Sequence, residues 1–181
     1  VHIENLKGPV TKSHINDCKK MVSVSDVITC ASKYIASRAN EYHSTVEYLP
    51  DSIDSKHFNL TKNILDFQKN KLSAIWSGVA PKSDDLNPII PILKRNNIDL
   101  KIISNYKPRF RRHILQWFKF NRTQNIKWSY KTFPSNILKG EFCVAPRTLS
   151  NSYNKGHSFF KIGVFLSQGI PAIASPVPSY H

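Results

Sequence analysis

The stretch Ser-Tyr-Asn-Lys-Gly-His-Ser-Phe-Phe-Lys, residues 152–161, begins the part of the sequence that decides the fold. It is a polar turn that runs into an apolar segment, so we predict a helix over 158–168 that Ser158 caps. Gly169-Ile-Pro follows, and the next residues predict a strand over 171–175. A turn before a helix presents free backbone N–H groups, which predicts a site for an anion such as a pyrophosphate.

Strand-like and helix-like segments alternate upstream of that unit. Strands are predicted over 27–31, 46–49, 72–76, 100–104, 126–128 and 142–145. Helices are predicted from Ser13, from Ser32 to about Glu41, and over 84–96 (with Asp84 as N-cap), 110–121 and about 134–138. Repeated alternation with short connections predicts an α/β fold with a Rossmann-like parallel sheet and helices on both faces. Such sheets bind ligands beyond the carboxyl ends of their strands.

The charge of the chain favours an anionic partner. Its 181 residues include 26 Lys and Arg against 12 Asp and Glu, a formal net charge of +14. Nucleotide phosphates, nucleic acid and an acidic membrane surface all fit that excess. Three widely spaced cysteines without a Cys-x-x-Cys pair favour neither a disulfide framework nor a zinc site, and we expect a reducing, cytoplasmic compartment. The abrupt beginning and end of the chain suggest a fragment of a longer protein.

Candidate binding residues follow the predicted strands. Gly78 and Lys82 come after strand 72–76, where a glycine lets a ligand approach the backbone and a lysine reaches a phosphate. An ordinary turn with a solvated lysine has the same sequence. Ser129 and Tyr130 follow strand 126–128 and would suit a loop beside a nucleobase, although Trp128 and Tyr130 would equally suit a core and its rim.

The densest group of candidate residues follows strand 142–145. It comprises Arg147, Asn154, Gly156, His157, Ser158 and Lys161. The N–H groups near Gly156 and Ser158 and the ammonium of Lys161 would converge on one anion. His157 would bond a phosphate oxygen, neutralise developing negative charge, or simply cap the turn.

A basic, aromatic stretch over 107–122 is the remaining charged feature. Such a composition fits a nucleic-acid surface, and it also fits an amphipathic helix with a buried aromatic face. The second interpretation, with its basic face toward solvent, an acidic membrane or a partner, is favoured because no RNA-binding signature or helix-turn-helix pattern accompanies it. Since the sequence has no Gly-x-Gly-x-x-Gly after a strand, no P-loop and no serine elbow, dehydrogenase, ATPase and hydrolase functions are disfavoured.

Three segments together resemble the C-terminal, donor-binding domain of GT-B glycosyltransferases. They are Ser77-Gly78 with Lys82, Val144-Ala-Pro146, and Gly156-His-Ser-Phe-Phe-Lys161 followed by Gly169-Ile-Pro-Ala-Ile-Ala-Ser175. The resemblance covers about residues 50–181, and Pro50-Asp-Ser-Ile-Asp54 resembles the interdomain linker. It implies that 1–50 is the end of an N-terminal domain with its linker, and 51–181 a truncated Rossmann-like nucleotide-sugar-binding domain.

The resemblance also implies a chemistry and site roles. A nucleotide sugar would donate its sugar to a hydroxyl of a glycan, lipid-linked or protein acceptor, without a metal or other cofactor. Lys161 and His157 would act in catalysis. Donor binding would fall to Gly78, Lys82, Ser129, Tyr130, Arg147, Asn154, Gly156 and Ser158. The pair of glutamates that frames the helix in retaining members is replaced here by Gly156 and Val164.

The expected location is cytoplasmic, with peripheral contact at the inner face of an anionic membrane and no nucleic-acid partner. Two other functions stay open at this point. The chain could be a non-catalytic domain that binds a nucleotide or sugar phosphate, because the glutamate pair is missing. It could also be a basic module for nucleic acid or membranes, because of the 107–122 stretch.

Overall fold

The structure is a computed structural model that describes residues 11–63, 72–106, 123–150 and 152–180. Its strands are β1 (Ile28–Cys30), β2 (Val46–Tyr48), β3 (Ser73–Ser77), β4 (Asp99–Ser104), β5 (Thr123–Lys127), β6 (Phe142–Ala145) and β7 (Ala172–Ala174). Its α-helices are α1 (Lys12–Val24), α2 (Lys33–Ala39), α3 (Ile90–Arg95), α4 (Phe133–Ile137), α5 (Ser152–Lys155) and α6 (Phe160–Leu166). Short 3₁₀ helices occupy Ala80–Leu86 and Pro178–Tyr180.

The described residues divide into two compact units. One takes its residues from Val1–Ser52, Arg147–Phe160 and Ser175–His181, and is called the small unit below. The other takes its residues from Ile53–Pro146 and Lys161–Ala174, and is called the sheet unit. The division predicted from the sequence, 1–50 against 51–181, stays a prediction about domains.

The sheet unit contains five parallel strands in the order β5-β4-β3-β6-β7. Counted along this unit, the order is 3-2-1-4-5, that of the first five strands of the Rossmann fold. Helices flank the sheet, so the predicted α/β, Rossmann-like parallel architecture is confirmed. The strand order reverses between β3, the first strand of this unit, and β6.

The core of the sheet unit forms around β3, whose residues Ser73–Trp76 are all buried. A continuous apolar run is what a central parallel strand requires, because helices cover both of its faces. A buried cluster joins Ala74 and Trp76 to side chains from the first 3₁₀ helix, α3, β4 and β6: Leu86, Ile90, Leu93, Leu100, Ile102 and Val144. These contacts anchor the carboxyl end of β3 from one side.

A buried ion pair fixes the amino ends of β3 and β6. Lys62 Nζ lies 3.4 Å from Glu141 Oε1 and donates to the carbonyl oxygen of Gly140 at 2.7 Å. The other carboxylate oxygen of Glu141 accepts hydrogen bonds from the Ser73 backbone N–H at 2.7 Å and hydroxyl at 2.5 Å. Lys101 Nζ donates to the Ser73 hydroxyl at 2.9 Å. Each buried charge therefore has a partner, which is the condition under which burial is tolerated.

The small unit is built on a β–α–β element. Strands β1 and β2 pair in parallel, and α2 connects them. The Ser32 hydroxyl, at the residue where the sequence predicted this helix to begin, caps α2 by accepting from the Ile35 N–H at 3.2 Å. It also donates to the Gly156 carbonyl at 3.0 Å. Helix α1 begins with a capping box between Thr11 and His14, and it contributes no buried residue. Among the described residues, no helix is long and apolar enough to cross a bilayer.

The prediction of one helix over 84–96 is wrong. The chain instead forms the 3₁₀ helix Ala80–Leu86, a turn, and then α3 from Ile90. Pro91 occupies the first turn of α3, where its missing N–H is tolerated, and Pro88 lies in the turn. A continuous helix would have required hydrogen bonds that these prolines cannot donate. Asp84 consequently lies inside the 3₁₀ helix and is no N-cap.

The last predicted helix is shorter than expected. It begins at Phe160, so Phe159 and not Ser158 immediately precedes it. The turn expected before it contains one helical turn of its own, α5. Strand β5 runs over Thr123–Lys127 and leaves out Trp128, which had been predicted to lie in it. The predicted helix over 110–121 lies outside the described residues.

Candidate functional site

The reversal point of the sheet lies between the carboxyl ends of β3 and β6. Neighbouring connections leave these two strands in opposite directions, which opens a crevice above the strand ends. Gly78 follows β3, and Pro146 follows β6. A ligand in this crevice would lie nearest the residues that follow β3 and β6.

Gly78 packs directly against the ring of Trp76. A Cβ atom added at Gly78 would lie 2.6 Å from both Cη2 and Cζ2 of that indole. No real side chain tolerates such a contact, so packing alone requires glycine here. The indole fills the space that a side chain would take, and the Gly78 N–H donates to the Ile103 carbonyl at 3.1 Å. Close approach of a ligand to this backbone therefore stays a prediction.

Lys161 reaches the same ring from the first turn of α6. Its Nζ atom lies 5.0 Å from the centroid of the Trp76 ring, within the range of a cation–π interaction. Burial raises the pKa of the Cys143 thiol to about 12, and the positive charge of Lys161 acts in the opposite direction. The ammonium thus acts on residues of β3 and of β6, the two strands that flank the reversal point.

Lys82 lies in the 3₁₀ helix that follows Gly78. The Asn105 side-chain oxygen fixes the start of this helix by accepting from the Ala80 N–H at 3.1 Å. The Lys82 N–H donates to the Val79 carbonyl at 2.9 Å, and its side chain is half-buried. The structure therefore places Lys82 on the connection that leaves β3, one turn beyond Gly78.

Ser129 and Tyr130 follow β5, at the edge of the sheet. One strand separates β5 from β3, so this loop lies roughly 10 Å along the sheet from the reversal point. The Tyr130 ring stacks on the His57 ring with centroids 3.8 Å apart and planes 2° from parallel. Because Tyr130 is 60% exposed, this stack leaves much of the phenol open to solvent.

The other five predicted residues belong to the small unit and share one segment. Arg147 is held through its N–H, which donates to the Ser175 hydroxyl at 2.8 Å. Asn154 is buried and donates to the Thr148 carbonyl at 2.7 Å. This contact closes the segment on itself and gives Asn154 a structural role whether or not a ligand binds.

Gly156, His157 and Ser158 follow α5 without regular secondary structure. The Gly156 carbonyl accepts the Ser32 hydroxyl, and the His157 carbonyl accepts the Ser179 hydroxyl. The His157 ring meets the Tyr153 ring edge to face, with centroids 4.9 Å apart. Gly156 and His157 are therefore held by contacts within the small unit.

The structure brings Gly78 and Lys161 together around Trp76, whereas Tyr130 pairs with His57. A role in ligand binding stays a prediction for all ten residues. Since α6 has only seven residues and begins after Ser158, its N-terminus adds little to an anion site. The Lys161 side chain is the stronger feature.

Two further observations concern possible ion and ligand sites. In the part of the chain that the structure describes, no group of three or more His, Cys, Asp or Glu residues could hold a metal ion. A surface depression on α3 is lined by Ile90, Pro91, Lys94 and Arg95, and none of the predicted site residues lines it. We attach no function to it, because α3 leads to the amino end of β4 and not to the carboxyl edge of the sheet.

Sequence reasoning missed Trp76 and His57 as residues near the candidate site. Trp76 lies inside an apolar strand, where the sequence predicts a buried core residue, and it is 1% exposed. Its position one residue before Ser77-Gly78 was the available signal. His57 follows the predicted linker, and nothing in the local sequence indicates its stack on Tyr130.

The sequence was also compared with known proteins. No protein-family model matches it, and no curated protein matches it significantly.

Proposed function

We propose that the sheet unit binds the diphosphate of a nucleotide sugar, and that the chain is the donor-binding part of a GT-B glycosyltransferase. The observation that carries this proposal is the Lys161 ammonium, held over Trp76 where the 3-2-1-4-5 strand order reverses. Open parallel sheets bind their ligands at that point. A fixed cation there favours a ligand with a negative charge.

The proposed reaction is a transfer between oxygen atoms. The acceptor hydroxyl attacks the anomeric carbon, the bond from that carbon to the diphosphate oxygen breaks, and the diphosphate leaves with the electron pair. The hydroxyl proton passes to the departing diphosphate or to solvent. Lys161 would stabilise the leaving charge, with Lys82 supporting it from the connection after β3. Stabilising charge that develops in the transition state is what accelerates such a step.

A second candidate function is non-catalytic binding of a nucleotide or sugar phosphate. Val164, at one position of the glutamate pair named above, is 2% exposed within α6, and Gly156 is at the other. Neither residue supplies a carboxylate for a donor sugar. Hydrolysis or transfer of a nucleotide sugar by the protein would favour the transferase, and tight binding without turnover would favour this alternative.

The test is calorimetric titration of the chain with UDP, GDP, ADP and CMP. One nucleotide is expected to bind selectively, and Lys161→Ala is expected to weaken it by about tenfold or more, as loss of a charge-assisted contact does. Lys94→Ala, an exposed lysine on α3, is the matched control and should leave the affinity unchanged. Equal affinity of the wild type and the Lys161 variant, or no binding of any nucleotide, would contradict the proposal.

A further inference from the structure

The ring of Trp76 is fixed before any ligand arrives. Its indole is 1% exposed and packs in the buried cluster with Leu86 and Ile90. Gly78 closes against the Cζ2 and Cη2 edge of the same ring. A side chain confined on several sides keeps one rotamer, because protein interiors are close-packed. The face that Trp76 presents to Lys161 is therefore a rigid surface.

Lys161, in contrast, has a long and flexible side chain. A free lysine loses much rotamer freedom when a ligand orders it, and that loss weakens binding. A cation 5.0 Å above an aromatic centroid is already held by the negative face of the ring. Ordering of the ammonium is then largely complete in the free protein.

We propose that Trp76 is a positioning residue, which holds the Lys161 ammonium at the reversal point of the sheet for an incoming diphosphate. This inference rests on the proposed function and adds to it the residue that preorganises the site. The ring face is the active feature. The indole Nε1 is buried and has no hydrogen-bond acceptor among the described residues, so no bond from it orients the ring or Lys161.

Because Nε1 has no acceptor among the described residues, two substitutions are informative. Trp76→Phe keeps an aromatic face and loses no hydrogen bond to those residues, so it should bind inorganic pyrophosphate within about threefold of the wild type. Trp76→Leu removes the aromatic face and should bind pyrophosphate about tenfold more weakly. In a Lys161→Ala background, Trp76→Leu should add little further loss, because the two changes remove one interaction.

A second measurement observes the contact without any ligand. In the wild type, ring current from Trp76 should move the Lys161 ε-methylene proton resonances upfield in the NMR spectrum. The shift should persist in Trp76→Phe and vanish in Trp76→Leu. This shift reports the contact itself, and the pyrophosphate affinities of the variants show whether the contact assists binding. If Trp76→Leu does not fold, Trp76→Met serves as the non-aromatic variant.

The outcomes separate this inference from the proposed function. Wild-type pyrophosphate affinity in a folded non-aromatic variant, an unshifted Lys161 resonance, or no pyrophosphate binding by the wild type would each overturn the positioning role. Binding of pyrophosphate but of none of the four nucleotides would overturn the proposed function, and the Trp76 variants would still decide the positioning role.

Discussion

At the scale of single residues, Trp76 makes several of the contacts that shape the candidate site. It packs in the buried cluster, excludes a side chain at Gly78 and faces the Lys161 ammonium. These contacts depend on the tertiary placement of the side chains, and no local sequence pattern predicts them. The sequence identified Gly78 and Lys161 as candidates, and the structure adds that both contact the Trp76 ring.

Gly78→Ala tests the contact at the end of β3. The added methyl group would collide with the Trp76 ring, so we expect a loss of about 1–3 kcal/mol in the free energy of unfolding, typical of overpacking. Urea denaturation measures it. In a Trp76→Leu background, where Cη2 and Cζ2 are gone, the same change should cost much less. An equal cost in both backgrounds would show that the collision is not the cause.

Glu141 gives a second prediction, which concerns pH. Burial raises its pKa, but the Ser73 hydrogen bonds and the charges of Lys62 and Lys101 outweigh burial, and the net pKa lies below its ordinary value. The folded protein therefore binds this proton less readily than the unfolded chain. The resulting stability is present above the unfolded pKa and is lost as the pH falls through the folded pKa.

Glu141→Gln should remove that part of the acid dependence. At pH 7 it should also destabilise the protein by about 3–5 kcal/mol, because Lys62 would keep a buried charge without its counterion. Urea denaturation between acid and neutral pH measures both effects. Glu47→Gln, at an exposed position on β2, is the control and should change neither. An unaltered acid dependence in the Glu141 variant would contradict the assignment.

Among the elements, the central strands were the most predictable from sequence. Strands β3, β4 and β6 lie within a residue of the predicted bounds, because continuous apolar runs mark strands buried on both faces. The prediction of one helix over 84–96 was wrong. The apolar spacing of that segment suited one helix, but Pro88 and Pro91 interrupt it. Side-chain contacts between elements, such as His57 on Tyr130, depend on tertiary placement and leave no periodic signal.

The end of α6 supports a third prediction. The Gly169 N–H donates to the Leu166 carbonyl, and the Ile170 N–H donates to the Phe165 carbonyl at 2.9 Å, which is the Schellman pattern. Gly169 has a φ of 75°, in the left-handed region. Gly169→Ala should therefore cost about 1–2 kcal/mol of stability.

Thermal or urea unfolding of Gly169→Ala measures that cost. Gly169→Asn is the matched variant, since asparagine tolerates the left-handed region better than alanine. We expect the asparagine variant to be the more stable of the two. The reverse order would mean that backbone conformation is not what requires glycine between α6 and β7.

At the scale of the whole molecule, the net charge of +14 is the dominant property. Such a charge attracts any polyanion at low ionic strength. At physiological ionic strength, salt largely screens the attraction between exposed charges that are more than about 8 Å apart. We expect the chain to sediment with vesicles containing phosphatidylserine in low salt and to be released in high salt, whereas phosphatidylcholine vesicles should not bind it. Binding to both vesicle types, or binding that resists salt, would contradict an electrostatic surface attraction.

The chain passes between the two units at four places, after Ser52, Pro146, Phe160 and Ala174. The sheet unit is therefore encoded discontinuously, with the α5 segment as an insert between β6 and α6. A single crossover in the gene cannot transfer this unit intact to another protein. A chimera cut only near residue 52 would exchange the insert together with the sheet, whereas one cut near 146 would leave β6 without β7. Recombination that respects both units needs paired junctions.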